Sequence, residues 1–389
     1  MLPGSLTPRL QEALVRLSTQ QPSFAKAAAE LAFFTGATVH SDTARRQSEA
    51  AGAVLLAHES AEAARILREH PASPAGPETL VFSVDGAMVP IVGGEWKEVR
   101  TLAIGQVQPA LDTPDRSLIQ TTDLSYFSRL TDSTSFAEQA VLELHRRGIE
   151  KAQRVGAVVD GAEWCQSFID YHYAEALRIL DLPHAGEHIT LIGQSVTPEG
   201  RLLSETECAR LREQLKHDGP DGVLAELGAM VGAHPQLEEA AKALAYLEKR
   251  QEQMRYPQFV AEGWPLGSGM VESANKLVVE DRLKGAGMHW SEENVNPMLA
   301  LRNAWCNGRW DEKWMLIEQE MRRQVLVGRA ERHSRRTPAP ELVRAASAPV
   351  VVAARAAPSA APVLPTTKPP HPWKRAWSIR RQRQLADAA

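Results

Sequence analysis

Cysteine is scarce in this sequence: three in 389 residues, Cys165, Cys208 and Cys306. They stand far apart and form no C-x-x-C pair, so neither a disulfide framework nor a zinc ribbon is written here. A reducing, cytoplasmic setting fits that usage. No apolar run reaches the roughly 18 residues a membrane span needs, so no membrane partner is expected. Met1 to Gln21 lacks the basic start and apolar stretch of a secretory signal. No internal repeat is present either. What remains is a chain 43% hydrophobic and 24% charged, long enough for two domains or one large domain with an insertion.

Net charge is only -4, but it is unevenly spread. From Arg322 to Ala389 there are 14 Lys and Arg against 3 Asp and Glu, a net +11, which leaves the rest of the chain at -15. An acidic body with a basic end suits a nucleic-acid protein whose positive contacts are local. On charge alone, a solvated disordered arm is the preferred reading of that end. Nine prolines fall within residues 337–372, which reads as an extended linker, followed by the basic-aromatic cluster Trp373 to Trp377.

Residues 1–70 read as short helices. Thr7-Pro8 is a start signal, a second helix runs from about Ser23 to Gly36, and a third begins near Ser41-Asp42. A helix, a tight turn and a helix carrying Arg45 and Arg46 are compatible with a DNA-binding helix-turn-helix, a pattern any small helical bundle shares. Pro71, Pro74 and Pro77 then mark a boundary. Beyond them strands alternate with helices, which predicts an α/β core with parallel strands. Leu80–Val84 is a strand ending in Asp85-Gly86, Val99–Val107 a second, and Val155–Val159 a third ending in Asp160-Gly161. A short strand at 178–180 ends in Asp181. Residues 195–255 carry no convincing strand and predict an all-helical insertion. Helices then close the chain to about Gln324.

Two carboxylates at the ends of apolar strands, each before a glycine, are the first chemical signal. Ligands bind at such strand ends in α/β sheets. If the strands are neighbours, Asp85 and Asp160 converge, and like charges that close call for a cation. An Asp-Gly after a strand is also an ordinary turn signal. Glu272 adds a third acid in the first turn of the helix opened by Gly267-Ser268-Gly269. Ser268 lies four residues before it, one too many for a capping box, while helix-dipole stabilisation remains open. Oxygen-only ligands favour Mg²⁺ or Mn²⁺, and three carboxylates can hold two such ions for in-line attack on a phosphodiester.

These stretches resemble a known family. SVDGAMVPI (83–91), VVDGAEW (158–164), DLPHAGEH (181–188) and above all PLGSGMVESANKLVVEDRLKGAGMHWS (265–291) are similar to bacterial insertion-sequence transposases of the ISKra type. The resemblance covers about residues 6–315. It implies a DDE enzyme with an RNase H-like core over about 71–324, the helical insertion lying before the final acid. Asp85, Asp160 and Glu272 match the catalytic and metal-holding acids, 75 and 112 residues apart. Asp181 and His184 match an Asp-x-x-His motif of Mutator-like relatives, near the site, where they would orient phosphate. The implied partners are DNA, as terminal inverted repeats and target, and further copies of the chain on that DNA. The implied setting is the bacterial cytoplasm, at the nucleoid. Family members usually carry, upstream of the region matching Leu6, a cysteine-rich segment resembling a zinc ribbon. No C-x-x-C is present here, so a shortened member or a truncated start is expected, and recognition of the element ends is left without that segment.

Other residues are weighed on their own chemistry. Arg282, Lys284 and His289, with Gly285 and Gly287 between, form a compact basic loop suited to DNA phosphates or to a solvated helix end. His184 to His188 spells H-x-x-E-H, a zinc-peptidase pattern when it lies within a helix. After a strand end and a proline it reads as chance. Trp290, Trp305, Trp310 and Trp314 read as packing residues. Two other functions stay open: an RNase H-like nuclease without strand transfer, and a domesticated DNA-binding remnant. The expected organisation is a helical region 1–70, a core 71–324 interrupted at about 195–255, and a disordered basic tail 325–389.

Overall fold

Three helices begin the chain in the computed structural model, which describes residues 6–108, 111–113, 116–198 and 200–336. Helix α1 (Pro8–Gln20) is capped by Thr7, whose hydroxyl accepts from Leu10 N, and α2 (Phe24–Thr35) by Ser23. Gly36, at φ +70°, stops α2 in the left-handed conformation that glycine adopts most cheaply. Leu14, Leu31 and Ala44 close a small apolar centre between these helices and α3 (Ser41–Glu69). With 29 residues, α3 corrects the expectation of short helices throughout. Its length is used against α13 (Glu292–Cys306), where Gly52 meets Pro297 so closely that a Cβ would lie 2.3 Å from the proline carbonyl oxygen.

Five strands form the main sheet: β1 (Thr79–Pro90), β2 (Trp96–Val107), β5 (Thr121–Leu130), β6 (Arg154–Val159) and β7 (Leu177–Leu180), in the order β5-β2-β1-β6-β7. A small ribbon of β3 (Leu111–Thr113) and β4 (Arg116–Leu118) lies between β2 and β5 in sequence. The expected parallel sheet is therefore mixed. Strands β1–β2 and β2–β5 pair antiparallel, whereas β1–β6 and β6–β7 pair in parallel. The short link between β1 and β2 allows only a hairpin return, and the link from β2 to β5 is taken up by the β3–β4 ribbon, whereas α4 (Ser133–Arg146) and α5 (Glu163–Tyr173) supply crossovers. Strand β5 was not anticipated, and β1 does not end at Asp85-Gly86 but runs on to Pro90.

Alternation along β1 sends successive side chains to opposite faces. Phe82 joins Phe136 of α4 and Phe168 of α5 in an aromatic cluster, with ring centroids 5.6–6.1 Å apart. Val81 faces the other way, with Val158, Ile179 and Leu180, toward α6 (Leu182–Gln194) and the insertion. That insertion opens with a two-residue ribbon, β8 (Val196–Thr197) and β9 (Gly200–Arg201), which corrects the all-helical expectation. It continues through α7 (Glu205–Asp218), α8 (Pro220–Gly232) and α9 (Glu238–Lys249), then a 3-10 turn and α10 (Tyr256–Ala261). Leu211, Leu227, Leu244 and Leu247 pack them onto α6.

After α10 come α11 (Gly269–Ala274), a π turn (Asn275–Glu280) and α12 (Asp281–Leu283), continuous in backbone and packed with α13 over β1 and β2. Helix α14 (Trp310–Arg336) ends the described residues. Residues up to Ile317 belong to one compact unit and those from Glu318 to a second. Within the second, ion pairs Glu318–Arg322 and Glu320–Arg323 line the helix. Residues 325–336 are thus helical rather than tail-like, and the remainder of the expected tail, 337–389, lies outside the described residues.

Candidate functional site

Asp85 and Asp160 stand side by side. The parallel pairs Thr79↔Arg154 and Phe82↔Ala157 share one offset, and three residues further on that offset brings Asp85 level with Asp160. Neighbouring strands run about 4.8 Å apart, so the two carboxylates start from adjacent points. Strand β6 stops at Val159 while β1 continues. Asp85 therefore sits where β1 loses its parallel partner, and its flank opens. Gly86 is not a turn residue but a strand position of β1, paired with Arg100 of β2.

Each aspartate is held by its surroundings. Asp160 Oδ1 accepts from Ala162 N at 2.9 Å and from Cys165 Sγ at 3.3 Å. Burial, then the charge of Asp160, pushes the Cys165 thiol up, so it remains a neutral donor. Asp85 Oδ2 accepts from Asn275 Nδ2 at 2.8 Å. Burial holds the Asp85 carboxyl above its ordinary range, and the charges of Asp160, Glu272 and Glu98 add to the effect against a bond from Gly86 N.

Glu272 occupies the first turn of α11, exposed to solvent, on the same continuous helix as Asn275. The loop before it is tied down by Asp181. That buried carboxylate accepts from Ser268 N at 2.6 Å and from His184 N at 3.0 Å, where it caps α6. Asp181 is thus occupied in joining the start of α6 to the loop that launches the Glu272 helix. His184 lies on α6, its Nδ1 3.3 Å from Glu187. The H-x-x-E-H run does fall within a helix, contrary to the expectation, but His188 stacks on Tyr246 with centroids 4.0 Å apart.

The basic residues divide. Arg45, Arg46, Lys284 and His289 are exposed. Arg45 is engaged by Glu49 at 3.0 Å, and Lys284 by Glu280 at 2.9 Å. Arg282 is a correction: it is 1% exposed and cannot meet a phosphate from that position. Its Nε donates to Ser18 O at the end of α1, and its guanidinium lies over Phe24 and Trp290. Burial, with Arg302 nearby, pulls its pKa down to about 10. Trp290, Trp310 and Trp314 are buried packing residues as expected.

Several neighbours of the two aspartates carry no sequence signal. Asn275 lies within the stretch 265–291 but is not singled out by it, Cys165 and Glu98 fall outside the stretches that resemble the family, and Tyr246 and Arg250 come from the insertion. The Tyr246 hydroxyl donates to the Asp160 carbonyl, and burial pushes its pKa up to about 12.

For a metal ion, the donor chemistry fits: carboxylate oxygens from Asp85, Asp160 and Glu272 suit a hard divalent cation. Asn275 Oδ1, buried beside Asp85 and without a hydrogen-bond partner, is a further oxygen of the same kind. Among the described residues, however, no three His, Cys, Asp or Glu side chains are already gathered as a ligand set. The structure brings together the aspartate pair, with Glu272 on the helix bonded to it. No helix among the described residues is long and apolar enough to cross a membrane. Compared with known proteins, the chain matches no family model and no curated protein.

Proposed function

We propose that this protein is a DNA transposase of an insertion sequence, acting through Asp85, Asp160 and Glu272 on an RNase H-like core. One observation carries the reading: two aspartates level with each other on adjacent parallel central strands, at the point where one strand ends. The strand order supports the core assignment, with antiparallel hairpin strands on one side of β1 and parallel strands on the other. The Asn275 bond from the Glu272 helix to Asp85 supports the third acid.

Asp85, Asp160 and Glu272 would hold Mg²⁺ or Mn²⁺. Ions bound there would activate a water or a DNA 3′-hydroxyl and stabilise the leaving oxygen of an in-line displacement. Asn275 fixes the rotamer of Asp85, and Cys165 and Ala162 fix that of Asp160. Asp181 sets the loop from which Glu272 projects. DNA is the partner, as element ends and target, bound by further copies of the chain. Arg45, Arg46, Lys284 and His289 offer charge for its backbone.

The test uses the full chain with duplexes taken from either side of its gene. Cleavage and joining of 3′-ends in Mg²⁺ or Mn²⁺, binding without chemistry in Ca²⁺, and loss of cleavage in Asp85→Asn, Asp160→Asn and Glu272→Gln are expected. Cleavage that never proceeds to joining favours the nuclease. Binding with no cleavage favours a domesticated DNA-binding remnant. Cleavage that persists in a chelator overturns all metal-dependent readings.

A further inference from the structure

We infer that Tyr246 and Arg250, supplied by the helical insertion, are positioning residues that set the aim of the Asp160 carboxylate. The inference rests on the reading of Asp160 as an ion-holding acid.

The turn at 160–162 is gripped through its backbone. The Tyr246 hydroxyl donates to the carbonyl of Asp160, and Arg250 donates from Nε to the carbonyl of Gly161 at 2.9 Å, with Nη2 on the same oxygen. Two successive peptide planes are thereby fixed. Their orientation directs Ala162 N–H at Asp160 Oδ1, which selects the carboxylate's rotamer. Gly161, at φ +81°, is where the grip closes: a Cβ would lie 2.4 Å from the Tyr246 hydroxyl and 2.6 Å from Arg250 Nε.

The brace is itself braced. Arg250 is 5% exposed, its guanidinium carbon 3.8 Å from the centre of the Tyr246 ring. Its Nη1 donates to Tyr246 O at 3.2 Å, and its Nη2 reaches Glu163 at 3.1 Å. His188 of α6 stacks on the same tyrosine. Burying a guanidinium is costly unless its donors are used. Here Nε and Nη2 converge on one turn beside a carboxylate, a use that ordinary helix packing would not need. The insertion is therefore a working part of the site.

Full-length wild type, Tyr246→Phe, Arg250→Lys and Arg250→Met are compared by three measurements: melting, amide hydrogen exchange over 160–166, and Mn²⁺ affinity by titration. Tyr246→Phe keeps the ring stack but loses one hydrogen bond, and should melt only a few degrees below the wild type. Its Ala162 amide should exchange about tenfold faster, and its Mn²⁺ affinity should fall roughly 10–100-fold, as for loss of a residue that orients a ligand. Arg250→Lys retains a donor and should recover part of the Arg250→Met loss. Wild-type exchange and wild-type affinity in Tyr246→Phe together with Arg250→Lys overturn the inference, whatever Arg250→Met does to folding. If the wild type binds no Mn²⁺, the ion-holding reading of Asp160 fails, and the exchange arm alone decides whether the insertion holds the turn.

Discussion

Asn275 donates from Nδ2 to Oδ2 of Asp85 at 2.8 Å, joining positions 190 residues apart. The bond couples the central strand to the helix of the third acid. Its other amide atom, Oδ1, is buried without a partner, so the side chain is kept at some cost to stability.

Asn275→Ala separates those two roles. Removing an unsatisfied oxygen offsets part of the lost packing, so melting should change by only a few degrees. Cleavage should fall roughly 10–100-fold, since Asp85 loses its orienting donor, while DNA binding stays the same. A mutant that cleaves at the wild-type rate would remove Asn275 from the site.

Asp85 gives a pH prediction. Its carboxyl is held above the ordinary value by burial first, and then by Asp160, Glu272 and Glu98. A folded pKa above the unfolded one means that the charged form weakens the fold, and that stability is lost as pH rises through the folded value. Asp85→Asn should therefore melt higher than the wild type at neutral pH without divalent ions. The difference should shrink to nothing as pH falls below the ordinary aspartate value, about 3.9. Mn²⁺ should stabilise the wild type and not the mutant. A mutant less stable than the wild type at neutral pH would contradict the sign.

Gly161→Ala tests the turn directly. A side chain at φ +81° costs about 1–2 kcal/mol, and its Cβ would displace Tyr246 and Arg250. Urea unfolding should report a loss of at least that size, and Mn²⁺ affinity should fall with it. Unchanged unfolding would mean that the turn is not as tight as described.

Glu59 on α3 and Arg129 on β5 form a buried ion pair, 6% and 1% exposed, that ties the N-terminal helices to the sheet. Glu59→Ala strands the guanidinium and should cost about 3–5 kcal/mol. The double variant Glu59→Leu with Arg129→Met should recover most of that, because no buried charge is left alone. A double variant as unstable as Glu59→Ala would show that packing, not charge, is at stake.

Asp85 and Asp160 were legible because each acid interrupts a run of apolar strand residues, a contrast visible in one dimension. The place of Glu272 in the first turn of a helix was legible because Gly267-Ser268-Gly269 marks a helix start. Strand β5, TTDLSYFSRL, was not: the partner of its buried Ser128 hydroxyl, Thr101 Oγ1 at 2.9 Å, and that of its Ser128 N–H, Asn303 Oδ1, lie far away in sequence. The continuation of β1 past Asp85-Gly86 was hidden because Asp-Gly ordinarily signals a turn, whereas here both residues stay in register with Thr101 and Arg100 of β2. Arg282 was misplaced for a related reason. Nothing local announces that Phe24, Trp290 and the end of α1 will cover it. Tyr246 and Arg250 act on backbone carbonyls, and such contacts leave no motif.

The π turn at Asn275–Glu280 holds one residue more than an α-helical path would, and Arg302 satisfies the carbonyls of Leu277 and Val278 that the wider turn loosens. The wider turn takes up that spare residue, so the helix on either side keeps the phase of a regular spiral. Deleting a single exposed position within 275–280 would restore that spiral and leave Glu272 aimed as before, whereas inserting one more residue would turn it by about 100°. The segment should accept the loss of one residue far more readily than a gain.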